Sequence, residues 1–374
     1  MSSSLPDDTN EAALTELISM VGPLDEAAMA AARERQASLT KPAGSLGRLE
    51  DLAIQVAGIT GQTIPTVARK AVITLAGDHG VTAEGVSAYP AEVTRQMALN
   101  FLREGAAINA LAGWVGARVV VVDIGVAAPL DHPQLVSRKL AKGTANMAQG
   151  PAMTRTQAIQ AMLVGAEIVA AEIERGLDLV AIGEMGIGNT TAASAITVAL
   201  TGALPEVATG RGTGVDDAGL ARKIEVITRA LEVNGLQAER PADRDPVDVL
   251  AKVGGFEIAG MVGVILGAVA QRIPVVLDGF ISGAAALVAA ALCPVAQPYL
   301  IAGHVSVERG HWLILHWLKL EPVLDLHMRL GEGTGAALAM GIVDAALRAH
   351  REMATFAEAG VSERDEATDV QDGA

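Results

Sequence analysis

The sequence predicts an α/β fold, a parallel β-sheet with crossover helices of Rossmann-like kind, on three observations. Short runs rich in β-branched residues alternate with longer helical stretches, as parallel strands and their crossovers require. Several of these runs end in an acid or a glycine, the usual exit from a buried strand into a loop. Of the 374 residues, 51% are hydrophobic but only 2% aromatic, so the interior must be built from Ala, Val, Leu and Ile with close approaches at Gly and Ala. One large domain with a smaller satellite accounts for this length.

Residues 1–10 are polar and are expected to be a disordered tail. Amphipathic helical patterning follows over 11–19 and 25–39. A turn over 41–50 carries Lys41 and Arg48, and Ser45 is placed to cap a helix over 46–60. The strand-like runs then begin. Residues 72–75 lead to Gly77, Asp78 and His79; 119–122 end at Asp123; 179–182 end at Gly183 and Glu184; 275–277 end at Asp278; and 299–302 lead to Gly303 and His304. Ligands of open α/β sheets bind beyond the carboxyl ends of the strands, so these residues are expected around one crevice. The most apolar stretches, 260–270 and 281–296, are interrupted by Gln271 or Pro294 before spanning length and read as buried helices. Residues 352–374 turn acidic and lose their apolar period, as in a disordered tail.

The charge balance narrows the function classes. Lys and Arg total 28 against 43 Asp and Glu, a formal charge of -15, which repels polyanions and argues against nucleic acid or an anionic membrane as partner. A small-molecule ligand is expected instead. The one cysteine, Cys293, excludes an internal disulfide or a thiolate metal cluster and reads as a core residue. The amino terminus lacks the basic and apolar regions of a signal peptide, so a cytoplasmic location is expected.

Three segments carry chemistry. Leu330-Gly-Glu-Gly-Thr-Gly335 sets one carboxylate, Glu332, between glycines that allow a ligand close approach, with Thr334 placed to cap the helix that follows. Gly183-Glu-Met-Gly-Ile-Gly-Asn-Thr-Thr191 joins a buried strand to a helix. The amides at Gly186 and Gly188, with Asn189, Thr190 and Thr191 at the helix start, make an anion site. No Gly-Lys-Ser/Thr closes it and the dinucleotide spacing is absent, so a single phosphate is the natural ligand and a nicotinamide-dependent dehydrogenase is disfavoured. Thr209-Gly-Arg-Gly-Thr-Gly214, with Gly212 at its centre and Lys223 in the next helix, reads as a second phosphate cradle. His304, His311 and His316 cluster with Glu308, but their spacing does not fix three ligands on one helix face, and no metal is expected. Asp78 and His79 are adjacent on an extended segment and so point to opposite sides. A non-catalytic nucleotide sensor could use the same cradle without Glu332.

Read together, Lys41-Pro-Ala-Gly-Ser-Leu-Gly-Arg48, Gly77-Asp-His-Gly-Val81 with Glu84-Gly-Val-Ser-Ala-Tyr-Pro90, Gly183 to Thr191, Lys252-Val-Gly-Gly-Phe256, Leu277-Asp-Gly-Phe280 and Leu330 to Gly335 resemble the nicotinate-nucleotide:dimethylbenzimidazole phosphoribosyltransferase (CobT) family of cobalamin biosynthesis. The match runs in order from about residue 24 to 350. The resemblance implies a homodimer, with a large α/β domain over 66–335 and a small helical domain drawn from 11–65 and 336–351. It implies transfer of phosphoribose from nicotinate mononucleotide to 5,6-dimethylbenzimidazole, giving α-ribazole 5'-phosphate and nicotinate, without a cofactor. Adenine, another benzimidazole or a phenol remains an alternative acceptor. By position, the resemblance makes Glu332 the catalytic base and Glu184 a second active-site acid. It places Gly186, Gly212 and Lys223 near the nucleotide phosphate, and Tyr89, Met97, Met185 and Leu330 around the base pocket.

Overall fold

The structure, a computed structural model, describes residues 7–237 and 240–362. They form a six-stranded, all-parallel sheet of order β3-β2-β1-β4-β5-β6. The strands are β1 (Lys70–Gly77), β2 (Ala117–Gly125), β3 (Val136–Ser137), β4 (Leu179–Met185), β5 (Val275–Leu277) and β6 (Leu300–Ala302). The five strand-like runs all become strands; β3, two residues long, is too short to show a periodic signal. The chain winds from β1 outward to β3, then returns to place β4 on the other side of β1. The switch point of this doubly wound sheet therefore lies between β1 and β4.

Low aromatic content is met by backbone-to-backbone packing. Helix Phe256–Ala270, buried over Phe256 to Val269, lies on helix Arg155–Glu174 and on the sheet. A Cβ on Gly165 would come 2.0 Å from the Gly260 carbonyl oxygen, and one on Gly263 would come 1.7 Å from that of Met162. Any larger residue there would drive the helices apart. The predicted buried helices over 260–270 and 281–296 are helices Phe256–Ala270 and Phe280–Leu292, and Cys293 is a buried free thiol. Among the described residues, no helix is long and apolar enough to cross a membrane.

The described residues divide into two compact units, one within 7–23 and 67–341, the other within 24–66 and 342–362. These bounds differ from the expected 11–65 and 336–351. Helix Asp7–Ser19 groups with the large unit because it packs on helices Arg155–Glu174 and Phe256–Ala270, burying Leu14, and because Glu11 pairs with Arg155 at 2.6 Å. Residues 7–10, expected in a disordered tail, begin that helix, and Asn10 is buried. Likewise 356–359 form a helical turn with a capping box from Thr355 and Glu358. The remaining tail expectations, 1–6 and 363–374, lie outside the described residues.

In the smaller unit, His350 is fully buried. Its Nε2 reaches the Thr63 carbonyl at 2.8 Å and its Nδ1 lies 3.0 Å from Gln36 Nε2. A carbonyl partner requires a proton on Nε2, so Nδ1 accepts from Gln36 and the ring is neutral. Ser45 does not cap: helix Arg48–Thr60 starts after Gly47 without a side-chain cap, and Glu50 instead takes the Leu46 amide at 3.0 Å and Lys41 Nζ at 2.7 Å. Lys41 is thus a structural partner of Glu50.

Candidate active site

Glu332 sits at the centre of a turn in left-handed backbone, φ 64° with Gly331 at 83° and Gly333 at 95°. A non-glycine residue there costs about 1–3 kcal/mol, and the fold fastens it from three strands. Its carbonyl accepts from Thr74 Oγ1 on β1 at 3.2 Å and lies against Gly183 on β4, where a Cβ would be 2.2 Å away. Thr74 and Gly183 are register partners, so the turn rests on the switch point itself. From the end of β5, Asp278 accepts from the amides of Gly335 (2.7 Å), Ala336 (3.1 Å) and Gly333 (3.3 Å). Asp278, rather than Thr334, therefore caps helix Thr334–Glu352; the Thr334 hydroxyl donates back to the Gly331 carbonyl at 2.8 Å.

Glu184, on β4, lies beneath this turn: a Cβ on Gly331 would come 2.3 Å from its Oε1. Its other oxygen accepts from Asn189 Nδ2. Both acids are pushed toward the neutral form. Burial raises Glu184 to about 8, helped by the charges of Asp278 and Glu257 and opposed by the Asn189 bond. Burial likewise raises Glu332 to about 7; the Ile108 amide opposes this and the Asp278 charge adds to it.

These groups line a cavity of about 470 Å³ over the carboxyl ends of β4, β5 and β6. Of the sequence-predicted residues, Glu332, Glu184, Gly186, Asn189, Thr190, Gly212, Tyr89, Met97, Met185 and Leu330 all line it. Lys223, buried behind the wall, donates from Nζ to Thr190 Oγ1 at 2.8 Å. Burial lowers it to about 8, against the charge of Glu308. The others do not face the cavity. Gly188 packs against Thr82 and His79, and Thr191 is fully buried. Asp78 accepts from the Ala127 amide at 2.7 Å, and His79 pairs with buried Glu257 at 2.6 Å. Burial works to lower His79, but the Glu257 carboxylate outweighs it and raises its pKa. These two residues hold the loop after β1.

Sequence reasoning finds some cavity residues without their roles and misses others. Asp278 is visible in the sequence as a strand-end acid but not as the cap of a helix starting 56 positions later (278 to 334). His304, expected at the crevice as a strand-end residue, lines the cavity, and Ser306 and Glu308, for which the sequence offers no such role, line it too. His311 is not free to ligate through Nδ1, which accepts from the Ser306 amide at 2.9 Å, and burial, then the neighbouring His304, pushes its pKa down to about 3. Among the described residues, no group of three or more His, Cys, Asp or Glu is placed to hold a metal ion.

Two protonatable carboxylates facing one cavity at the carboxyl ends of a doubly wound sheet are the equipment of an enzyme acting on a small molecule, and a phosphoribosyltransferase family profile matches residues 21–361. More narrowly, the chain belongs to the nicotinate-nucleotide–dimethylbenzimidazole phosphoribosyltransferase family. It is 63% identical to the member so named from Chloroflexus aggregans, over 95% of this chain and 99% of the relative, and 54% identical to that from Geobacter metallireducens, over 93% and 98%. The crystal structure of CobT from Thermus thermophilus superposes with a TM-score of 0.86 at 50% identity, covering 90% of this chain and 99% of that one.

Proposed function

We propose that this chain transfers the phosphoribosyl group of nicotinate mononucleotide to 5,6-dimethylbenzimidazole, giving α-ribazole 5'-phosphate and nicotinate. The observation that carries the reading is the pair Glu332 and Glu184. Both are buried in one cavity wall with raised pKa values, next to the glycine-rich segments of Gly186 and Gly212.

The donor phosphate binds at the start of helix Asn189–Thr201, with Gly186, Thr190, the Gly212 amide and Lys223 as its partners. The aromatic acceptor lies against the apolar wall of Val93, Met97 and Met185, with Tyr89 and Leu330 at the mouth. The nicotinate ring of the donor is a pyridinium cation. Beside it, Glu184 ionises, and the carboxylate then stabilises the positive charge that moves to the ribose as the C1'–N bond breaks. Nicotinate leaves with the bonding electrons and needs no proton. One benzimidazole nitrogen attacks C1' from the opposite face, inverting a β-nucleotide to an α-nucleotide, while the proton of its other nitrogen passes to Glu332. A pKa of about 7 suits a base that must accept and then release a proton at neutral pH.

We propose further that the enzyme works as a cytoplasmic homodimer. All three tryptophans, Trp114, Trp312 and Trp317, are at least 40% exposed, although Trp is usually well buried and is enriched at interfaces. Sedimentation at twice the 38.3 kDa chain mass is expected; a monomer would reject the dimer. For the reaction itself, purified protein mixed with both substrates should yield α-ribazole phosphate by chromatography. Turnover with adenine or a phenol but not with dimethylbenzimidazole would move the acceptor assignment, and binding without turnover would make the protein a sensor.

A further inference from the structure

The amide of Gly212 has one proton and two claimants. It donates to Oε1 of Glu308 at 2.9 Å, and in the phosphate reading above it also serves the donor nucleotide. Glu308 is 7% exposed, and its Oε2 is buried without a hydrogen-bond partner. That oxygen is packed against Gly210, where a Cβ would fall 1.8 Å from it. The carboxylate can accept about four hydrogen bonds, yet it has been removed from water for one. Its setting is an anion cradle: a Cβ on Gly212 would lie 2.7 Å from Thr190 Oγ1 and 2.9 Å from Lys223 Nζ. Helix Asn189–Thr201 begins beside it, and Glu308 itself lines the cavity.

We infer that Glu308 is a specificity-determining residue that holds the Gly212 amide of the cradle and is displaced from it by the phosphate of the donor. The inference rests on the phosphate reading above. One amide proton cannot serve two acceptors well, and a phosphate dianion beside a fixed carboxylate meets like-charge repulsion, so the carboxylate gives way. Because it is tethered, Glu308 competes at high effective concentration. A weakly accepting anion does not dislodge it, and a nucleoside has no group to put in its place. A phosphate monoester, with three strong acceptor oxygens and up to two charges, does.

The test titrates inorganic phosphate by calorimetry, at constant ionic strength, into the full chain and the variants Glu308→Gln, Glu308→Ala and Lys223→Ala. Glu308→Gln keeps the side-chain size without the charge, and thermal melts check that each variant folds. Both Glu308 variants should bind inorganic phosphate at least about tenfold more tightly than the unaltered chain, a gain expected from relieved like-charge repulsion. Lys223→Ala should bind it more weakly. Equal or weaker binding by both Glu308 variants, with binding to the unaltered chain still lost in Lys223→Ala, would overturn the placeholder role and leave the phosphate reading intact. If neither the unaltered chain nor Glu308→Gln binds inorganic phosphate or nicotinate mononucleotide, the phosphate reading falls and takes the inference with it.

Discussion

The two halves of the sheet use the same sequence device, a buried strand ending in an acid, to opposite ends. On the β1–β2 side, Asp78 takes the Ala127 amide, and Asp123 takes the Val126 amide at 2.9 Å and Lys139 at 3.1 Å. Those acids finish loops. On the β4–β5 side, Glu184 and Asp278 face the cavity, and the bonds Asp278 makes belong to the turn that carries Glu332. Position at a strand end is therefore no guide to reactivity. What differs is whether the carboxylates only tie strand-end loops together or face the cavity and hold the segment that carries another carboxylate.

Removing the base tests the contrast hardest. Glu332→Gln keeps the size of the side chain but cannot accept the acceptor's proton, so kcat should fall about 10²- to 10⁴-fold while substrate binding persists in equilibrium dialysis. In the unaltered enzyme the rate should rise as the pH passes about 7, where Glu332 loses its proton. A rate that is flat from pH 6 to 8, with near-full kcat in Glu332→Gln, would reject the assignment.

A matched pair probes the halves directly. Asp278→Asn weakens the acceptor for three amides and removes a charge that raises Glu332, so kcat should drop about 10²-fold, the scale of a base misplaced by about 1 Å. The inflection of its pH–rate profile should also move to lower pH. Asp123→Asn, on the other side, should lower the melting temperature and leave kcat within about twofold, since it touches only its own loop. Similar kinetic losses in both variants would erase the distinction.

Lys223→Ala should raise KM for the nucleotide more than it lowers kcat, by about tenfold for a lost charge-assisted contact. Nicotinate riboside, with no phosphate to bind, should be a poor donor for the unaltered enzyme. Equal kcat/KM for the two donors would remove the phosphate from the cradle.

The smallest effect concerns stability. The folded chain holds the Glu184 proton up to about pH 8, whereas the unfolded chain releases it near 4.5. The stability contributed by the protonated group is full below about 4.5 and is lost as the pH rises through about 8. Glu184→Gln should therefore melt progressively higher than the unaltered protein as pH increases from 5 to 9, alongside a modest loss of rate. A constant difference across that range would show that Glu184 is not held neutral.

The fold is largely legible in the sequence because its signals are local. Residues 72–75, 119–122, 179–182, 275–277 and 299–302 announce strands by β-branched content, and Glu332 and Gly186 stand out by their glycine settings. The failures are of one kind. Thr334 reads as a cap, but that bond belongs to Asp278, and Ser45 reads as another where Glu50 supplies the local carboxylate. His79 stands beside Asp78 in sequence, yet its partner is Glu257, 178 positions away. Glu308 has no assigned role in the sequence because nothing near it names Gly212, 96 positions earlier. Side-chain partners are chosen by the folded geometry, and a buried donor takes whichever acceptor the sheet brings to it.

The turn bearing Glu332 has a consequence for the order of assembly. Its carbonyl is held by Thr74 across 258 positions, one of the longest loops this chain has to close, and closing long loops is slow. The cradle proposed for the phosphate is completed just as late: the Gly212 amide waits for Glu308 and its carbonyl for Arg329, and helix Asn189–Thr201 packs on helix Phe280–Leu292. A chain emerging from the ribosome therefore stays chemically inert until the segment that carries both Glu308 and Glu332 has been delivered and docked. On refolding, phosphate binding and turnover should return together, after the helical signal.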